Sequence, residues 1–190
     1  MKVSSVHVLG PGKRYGLWLQ GCYRHCNGCI AQNSWDLNGG EDYPVDNLVM
    51  EILKEKVDGI TISGGEPFLQ CEELCDLIKK LKKEKDIGII IYTGYSLEEL
   101  KMKQNSNINC ILSLIDVLID GEYIEELDDN KAYRGSSNQK IHHLSKRYID
   151  YFESNFIARE NEFLINGNEF VILGIPNKTS KILKNKFKGD

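Results

Sequence analysis

Three cysteines within eight residues constrain this chain more than any other feature. They stand in Gly21-Cys22-Tyr23-Arg24-His25-Cys26-Asn27-Gly28-Cys29, a Cys-x3-Cys-x2-Cys segment. Gly21, Asn27 and Gly28 are turn formers, so the thiols are expected on a loop rather than side by side in a helix or strand. Met1–Gly10 shows no basic stretch followed by an apolar block, so no signal peptide is expected. The expected compartment is then cytoplasmic, where thiols stay reduced and clustered cysteines hold metal or do chemistry. Three soft thiolates on one loop suit an iron–sulfur cluster or zinc. Their number matters, because a closed zinc site or an electron-transfer cluster takes four protein ligands. Three thiolates on a four-iron cube leave one iron open to an outside molecule. His25 offers the rival arrangement, a Cys3His zinc knuckle. The remaining cysteines, Cys71, Cys75 and Cys110, read as small core residues, the first two at i, i+4 on one helix with no second pair nearby to complete a site.

The rest of the chain supplies the scaffold. At 190 residues it is expected to fold as one domain. A net charge of −4 argues against a nucleic-acid footprint, and no apolar run approaches the ~18 residues of a membrane span. Strands are expected at Val3–Leu9, Tyr15–Gln20, Gly59–Ser63, Ile87–Thr93 and Val117–Ile119, with helices at Val45–Lys56, Cys71–Lys83, after Ser96 and at Ile108–Leu114. Strand and helix in alternation indicate a parallel α/β layout, in which ligands sit at the carboxyl ends of the strands. The turns Gly64–Pro67, Thr93–Tyr95 and Asp120–Gly121 fall at such ends, on one rim with the cysteine loop. Beyond Asn130 the pattern weakens: Arg134–Gln139 is a polar loop, Ile141–Ile165 has no clean period, and Asn166-Gly167 signals a hairpin. The lysine runs Lys79–Lys85 and Lys178–Lys188 read as solvated faces.

The cysteine triad followed by Gly64-Gly65-Glu66-Pro67 after the next parallel strand resembles the radical S-adenosylmethionine enzymes. Within that superfamily the chain is similar to the small activating proteins of anaerobic ribonucleotide reductase and their single-cluster relatives. The supporting strings are Leu17–Cys22, Asn33-Ser34-Trp35, Ser63–Phe68, Tyr92–Tyr95, Val117–Gly121 and Arg134–Gln139. Two departures stand out. Gly28 occupies the place before the third cysteine where many superfamily members carry an aromatic residue, although the reductase activases commonly have glycine there. The chain also runs well past the Arg-Gly-Ser-Ser string, soon after which the smallest relatives end.

The resemblance implies a partial, open parallel β/α barrel over residues 1–142, with residues 143–190 as an extension packed on it rather than an independent domain. It implies that Cys22, Cys26 and Cys29 ligate three irons of a 4Fe–4S cluster and that the fourth iron takes S-adenosylmethionine. The cluster then cleaves that cofactor reductively to a 5′-deoxyadenosyl radical, which takes a hydrogen atom from a target. The implied partners are a glycyl-radical protein such as anaerobic ribonucleotide reductase and a flavodoxin- or ferredoxin-like electron donor. Gly64, Gly65, Glu66 and Pro67 line the methionine part of the cofactor, glycine allowing close backbone approach. Thr93 and Asp120 either hydrogen-bond the cofactor or cap helices and hold loops. Arg134 either pairs with the cofactor carboxylate or forms an ion pair with Asp128 or Asp129. His142 and His143 read as structural. Two other functions stay open: a radical enzyme modifying a small molecule or peptide, of deazapurine-forming or peptide-tailoring type, and a non-catalytic zinc- or cluster-binding module.

Overall fold

A computed structural model describes residues 2–6, 9–155, 158–166 and 169–177. Its centre is a six-stranded sheet in simple sequential order. The strands are β1 (Lys2–Val6), β2 (Arg14–Leu19), β3 (Gly59–Gly64), β4 (Gly88–Tyr92), β5 (Val117–Asp120) and β6 (Lys140–His143). Strands β2 to β5 run parallel, and β1 and β6 lie antiparallel along the two edges. Ile60, Ile62, Ile89, Ile90, Ile91, Leu118 and Ile119 of the central strands are all fully buried, as expected for a parallel sheet covered on both faces.

Helices α1 (Val45–Lys54), α2 (Cys71–Glu84), α3 (Leu97–Met102) and α4 (Ser106–Leu114) connect the parallel strands. Leu74, Cys75, Leu77, Ile78 and Leu81 of α2 form a buried helical stripe, with Glu72 and Glu73 in its first turn and Lys82 and Lys83 in its last, matching the helix dipole. The expected N-cap Ser96 closes a capping box with Glu99 at the start of α3. These helices pack against Tyr15, Leu17, Ile60, Ile62, Ile89, Ile91 and Leu118 to form the larger core.

The opposite face carries Ile90, Val117 and Ile119, packed against Phe152 of α5 (Ile149–Asn155). Tyr133, Tyr148 and Tyr151 surround that contact, and the Tyr133 and Phe152 rings meet edge to face at 4.9 Å. On the same face Arg14 is fully buried. Its guanidinium donates to Thr61 Oγ1 (2.6 Å), Ile60 O (2.6 Å), Gly88 O (3.1 Å), Pro11 O (3.2 Å) and Tyr148 Oη (3.1 Å). Burial holds its pKa below the usual arginine value. Strand β6 and helix α5 arise where the sequence shows no clean period, because four and seven residues are too few for one to emerge. Strands β7 (Glu162–Asn166) and β8 (Glu169–Leu173) form a separate antiparallel pair at the expected hairpin, whose Gly167 lies outside the described residues. The Lys178–Lys188 run also lies outside them. Among the described residues no helix is long and apolar enough to cross a membrane.

Candidate functional site

The carboxyl ends of β2, β3, β4 and β5 share one rim, and hydrogen bonds between successive loops tie it together. At the end of β2, Gly21 turns with φ +96°, and the chain enters the cysteine loop. That loop is pinned at both ends by Gly21 N–H to Ser34 O (2.9 Å) and Cys22 N–H to Trp35 O (3.1 Å). Inside it, Cys29 N–H donates to Cys26 O (3.1 Å), and Gly28 takes φ +71°. Cys22, Cys26 and Cys29 are all half-buried. Burial raises the Cys26 thiol pKa, opposed by the Tyr123 backbone N–H directed at its sulfur.

The end of β3 passes directly under this loop. Gly65 N–H donates to Leu19 O (2.8 Å) and Glu66 N–H to Gly21 O (2.7 Å). A Cβ on Gly65 would stand 2.7 Å from the Gly21 carbonyl carbon and 2.8 Å from Ser34 O. Two glycines are therefore needed here for close packing of two strand exits, apart from any ligand.

Glu66 is 2% exposed and joins the next strand end. Its carboxylate accepts from Phe68 N–H (3.0 Å), Thr93 Oγ1 (2.8 Å) and Gly94 N–H (2.8 Å). Burial raises its pKa, with these donors and nearby Arg24 acting in the opposite direction. Thr93 Oγ1 also accepts from Tyr95 N–H (3.1 Å). Asp120, at the end of β5, accepts from Leu97 N–H (2.7 Å) and Lys140 N–H (3.3 Å) and meets His142 Nε2 at 2.8 Å.

Gly64–Pro67, Thr93 and Asp120 thus stand on the rim beside the cysteine loop. Thr93 is bonded within the loops, and Asp120 holds the start of α3 and strand β6. Arg134 lies on the neighbouring 134–139 loop with its guanidinium paired to Asp129, one of the two partners expected from sequence. Cys75 is buried, and Cys71 and Cys110 pack partly buried against the larger core. His25 is exposed and turns its ring toward Trp35, centroid to centroid 4.7 Å.

One residue of the rim escaped the sequence reasoning. Arg24, between the first two cysteines, reaches over the Tyr95 ring at 4.4 Å. It pairs with Glu122 at 2.7 Å and Glu99 at 3.5 Å. Burial lowers its pKa and the two carboxylates raise it, the carboxylates prevailing. Its charge and its place inside the triad are visible in the sequence, but carboxylate partners 75 and 98 positions away are not.

The donor set fits an iron–sulfur cluster. Three half-buried thiols share one loop pinned to the strand ends, a soft donor set of the kind that binds iron–sulfur clusters. Among the described residues no three His, Cys, Asp or Glu side chains converge on a single metal ion.

Comparison with known proteins bears on the same residues. The family model for a 4Fe-4S single cluster domain matches residues 8–142, which contain the triad, Gly64–Pro67, Thr93, Asp120 and Arg134. The chain belongs to that family. The anaerobic ribonucleoside-triphosphate reductase-activating protein of Escherichia coli K12 is 34% identical over 148 residues, spanning 72% of this chain and 92% of that protein. Its namesake in Haemophilus influenzae is 39% identical over 144 residues, 71% of this chain and 90% of that protein. A shorter likeness, 36% over 83 residues, joins it to the pyruvate formate-lyase 1-activating enzyme of Escherichia coli K12, covering 40% of this chain and 34% of that enzyme. This family member carries residues 143–190 beyond the matched region.

Proposed function

We propose that the protein is a radical S-adenosylmethionine activase that generates a glycyl radical on a partner enzyme of the anaerobic ribonucleotide reductase type. The observation that carries this reading is the packing of a three-thiol loop on Gly64–Pro67 at the carboxyl ends of a parallel sheet, in a chain 34–39% identical to reductase-activating proteins. Cys22, Cys26 and Cys29 hold three irons of a 4Fe–4S cluster and leave one iron without a protein ligand. With S-adenosylmethionine on that iron, the cluster supplies one-electron cleavage to methionine and a hydrogen-abstracting 5′-deoxyadenosyl radical.

The chain's own residues bind, orient and shield. Gly64, Gly65, Glu66 and Pro67 present main chain toward the methionine end of the cofactor, and Glu66 fixes that loop to Thr93 and Gly94. Thr93 and Asp120 shape the neighbouring wall, and Arg134 is placed to exchange its Asp129 partner for a carboxylate of the cofactor. Residues 1–142 form the core, and 143–190 pack on it. The core is a partial barrel whose open side admits the partner's glycine-bearing loop. A flavodoxin- or ferredoxin-like donor supplies the electron, and the site of action is cytoplasmic.

The experiment is anaerobic reconstitution with iron and sulfide, reduction, and assay of S-adenosylmethionine cleavage. Methionine and 5′-deoxyadenosine are expected from the wild type and from Cys71→Ala and Cys75→Ala, and neither product from Cys22→Ala, Cys26→Ala or Cys29→Ala. No cleavage at full iron and sulfide loading sinks the proposal, and stoichiometric zinc without iron favours a binding module. A second reading, modification of a small molecule or peptide, is favoured by α5 covering the sheet face opposite the connecting helices. A glycyl-radical signal by electron paramagnetic resonance that requires a reductase subunit separates the two.

A further inference from the structure

The C-terminal segment reaches the cysteine loop through a continuous run of hydrogen bonds. It begins at Arg159, whose side chain is 2% exposed. Its guanidinium donates to Lys131 O (3.1 Å), Pro176 O (3.1 Å), Asp128 Oδ2 (3.1 Å), Arg134 O (2.8 Å) and Gly135 O (2.7 Å). All three guanidinium nitrogens are engaged, mostly by main chain, so the group holds the path of residues 131–135 rather than a single side chain. The loop that follows is closed on itself, Gln139 Oε1 accepting from Gly135 N–H (2.6 Å) and Ser136 N–H (3.2 Å).

That loop in turn holds the segment leaving β5. Gln139 Nε2 donates to Gly121 O (2.7 Å), Asn138 Nδ2 to Glu122 O (2.8 Å), and Ile124 N–H to Ser136 Oγ (3.1 Å). The other side of segment 121–125 is the cysteine loop. Glu122 receives Arg24 at 2.7 Å, Asn27 Nδ2 donates to Glu125 Oε2 at 3.5 Å, and the Glu125 carboxylate lies so close to Gly28 that a Cβ there would meet it at 2.8 Å.

We infer that Arg159 is a positioning residue for the cluster site: through loop 134–139 it sets where segment 121–125 stands against Cys26. This rests on the proposed function for the identity of the cluster, but the brace itself is built from the chain's own contacts. Residues 143–190 lie outside the matched family region, so the brace belongs to what this chain adds. Segment 121–125 sets main-chain dipoles and the Glu122 and Glu125 carboxylates against the cysteine loop, and such surroundings tune a cluster's reduction potential; displacing the segment therefore shifts that potential.

The test uses the full chain and two variants. Arg159→Lys offers three donors from one nitrogen in place of a five-donor fork, and Asn138→Ala removes the bond to Glu122 O at an exposed position whose loss leaves the core intact. Hydrogen exchange of the metal-free protein, followed by mass spectrometry, is expected to quicken at residues 121–125 in both variants. A redox titration of the reconstituted cluster, followed by electron paramagnetic resonance, is expected to shift its midpoint in both. Exchange at 121–125 or a midpoint unchanged in Arg159→Lys overturns the inference, whether or not Asn138→Ala responds, and no change in either variant overturns the whole brace. Should the wild type load zinc and no iron, the proposed function fails, while the exchange measurement still decides the brace.

Discussion

Gly65→Ala tests whether the glycine pair after β3 serves packing or ligand approach. The methyl group would stand 2.7 Å from the Gly21 carbonyl carbon, where ordinary contact begins at 3.4 Å, and the opposing atoms of Gly21 and Ser34 are backbone. No side chain can swing aside, so two strand exits must separate. Overpacking of this kind costs about 1–3 kcal/mol. Separation also breaks the bonds Glu66 N–H to Gly21 O and Gly21 N–H to Ser34 O, each worth roughly 1 kcal/mol. The expected total is about 3–5 kcal/mol. Gly121→Ala is the control: its φ is +100° but the nearest atom to a new Cβ is 3.7 Å away. It therefore carries backbone strain alone, about 1–2 kcal/mol. Urea unfolding of the metal-free proteins, followed by circular dichroism, reads both losses, and iron per chain after reconstitution reads the effect on the cysteine loop. Gly65→Ala is expected to lose more stability than Gly121→Ala and to load less iron. A Gly65→Ala protein as stable as the control, with full iron and impaired S-adenosylmethionine binding, would refute the packing account and assign the glycine to the ligand.

Two further outcomes follow from buried charge. Arg14→Lys keeps the charge but replaces a five-donor fork with three donors, leaving at least two buried carbonyl or hydroxyl oxygens unpaired among those named. At about 1–3 kcal/mol for each unsatisfied group, a loss of roughly 2–6 kcal/mol is expected by thermal or urea unfolding, and a loss below about 1 kcal/mol would contradict the saturated geometry. Glu66 gives a pH signature. Burial raises its folded pKa above the ordinary 4.5, so in the window just above that value the folded state holds more of the proton than the unfolded state does. Its contribution to stability is full below the unfolded pKa and is lost as pH rises through the folded pKa. Wild-type stability measured relative to Glu66→Gln is therefore expected to fall with rising pH across that window, and a gap that widens instead would reverse the assigned direction.

How much of this was legible in sequence depended on whether the relevant partner was local or remote. The order of strands and helices through Asp120 followed from apolar runs and helical stripes, and the Ser96–Glu99 box is a local pattern spanning four residues. Gathering the strand-end turns on one rim required only that order and parallel pairing. The two possible roles of Thr93, Asp120 and Arg134 could not be separated, because their neighbours are set by register. Asp120 meets His142 across the β5–β6 pairing, in which Leu118 stands opposite His142, and nothing in either residue's local string announces the contact. Arg24 was passed over for the same reason, its carboxylate partners lying on α3 and beyond β5.

The two faces of the sheet differ in this respect for a physical cause. One is covered mainly by α1, α2 and α4, long enough for burial to imprint a period on them. The other is covered by α5 and the residues around it, where a few aromatic side chains and a fully engaged arginine do the work of a stripe. Arg14 meets Tyr148 across 134 positions, and Arg159 meets Gly135 across 24. Such contacts are specific because hydrogen-bond geometry is directional, and specificity of that kind leaves single residues rather than a repeating pattern. Covering the second face and bracing segment 121–125 therefore fall to one stretch of chain. The helix that packs Phe152 over Ile90, Val117 and Ile119 stands shortly before Arg159 in the chain, and Arg159 holds the 131–135 main chain.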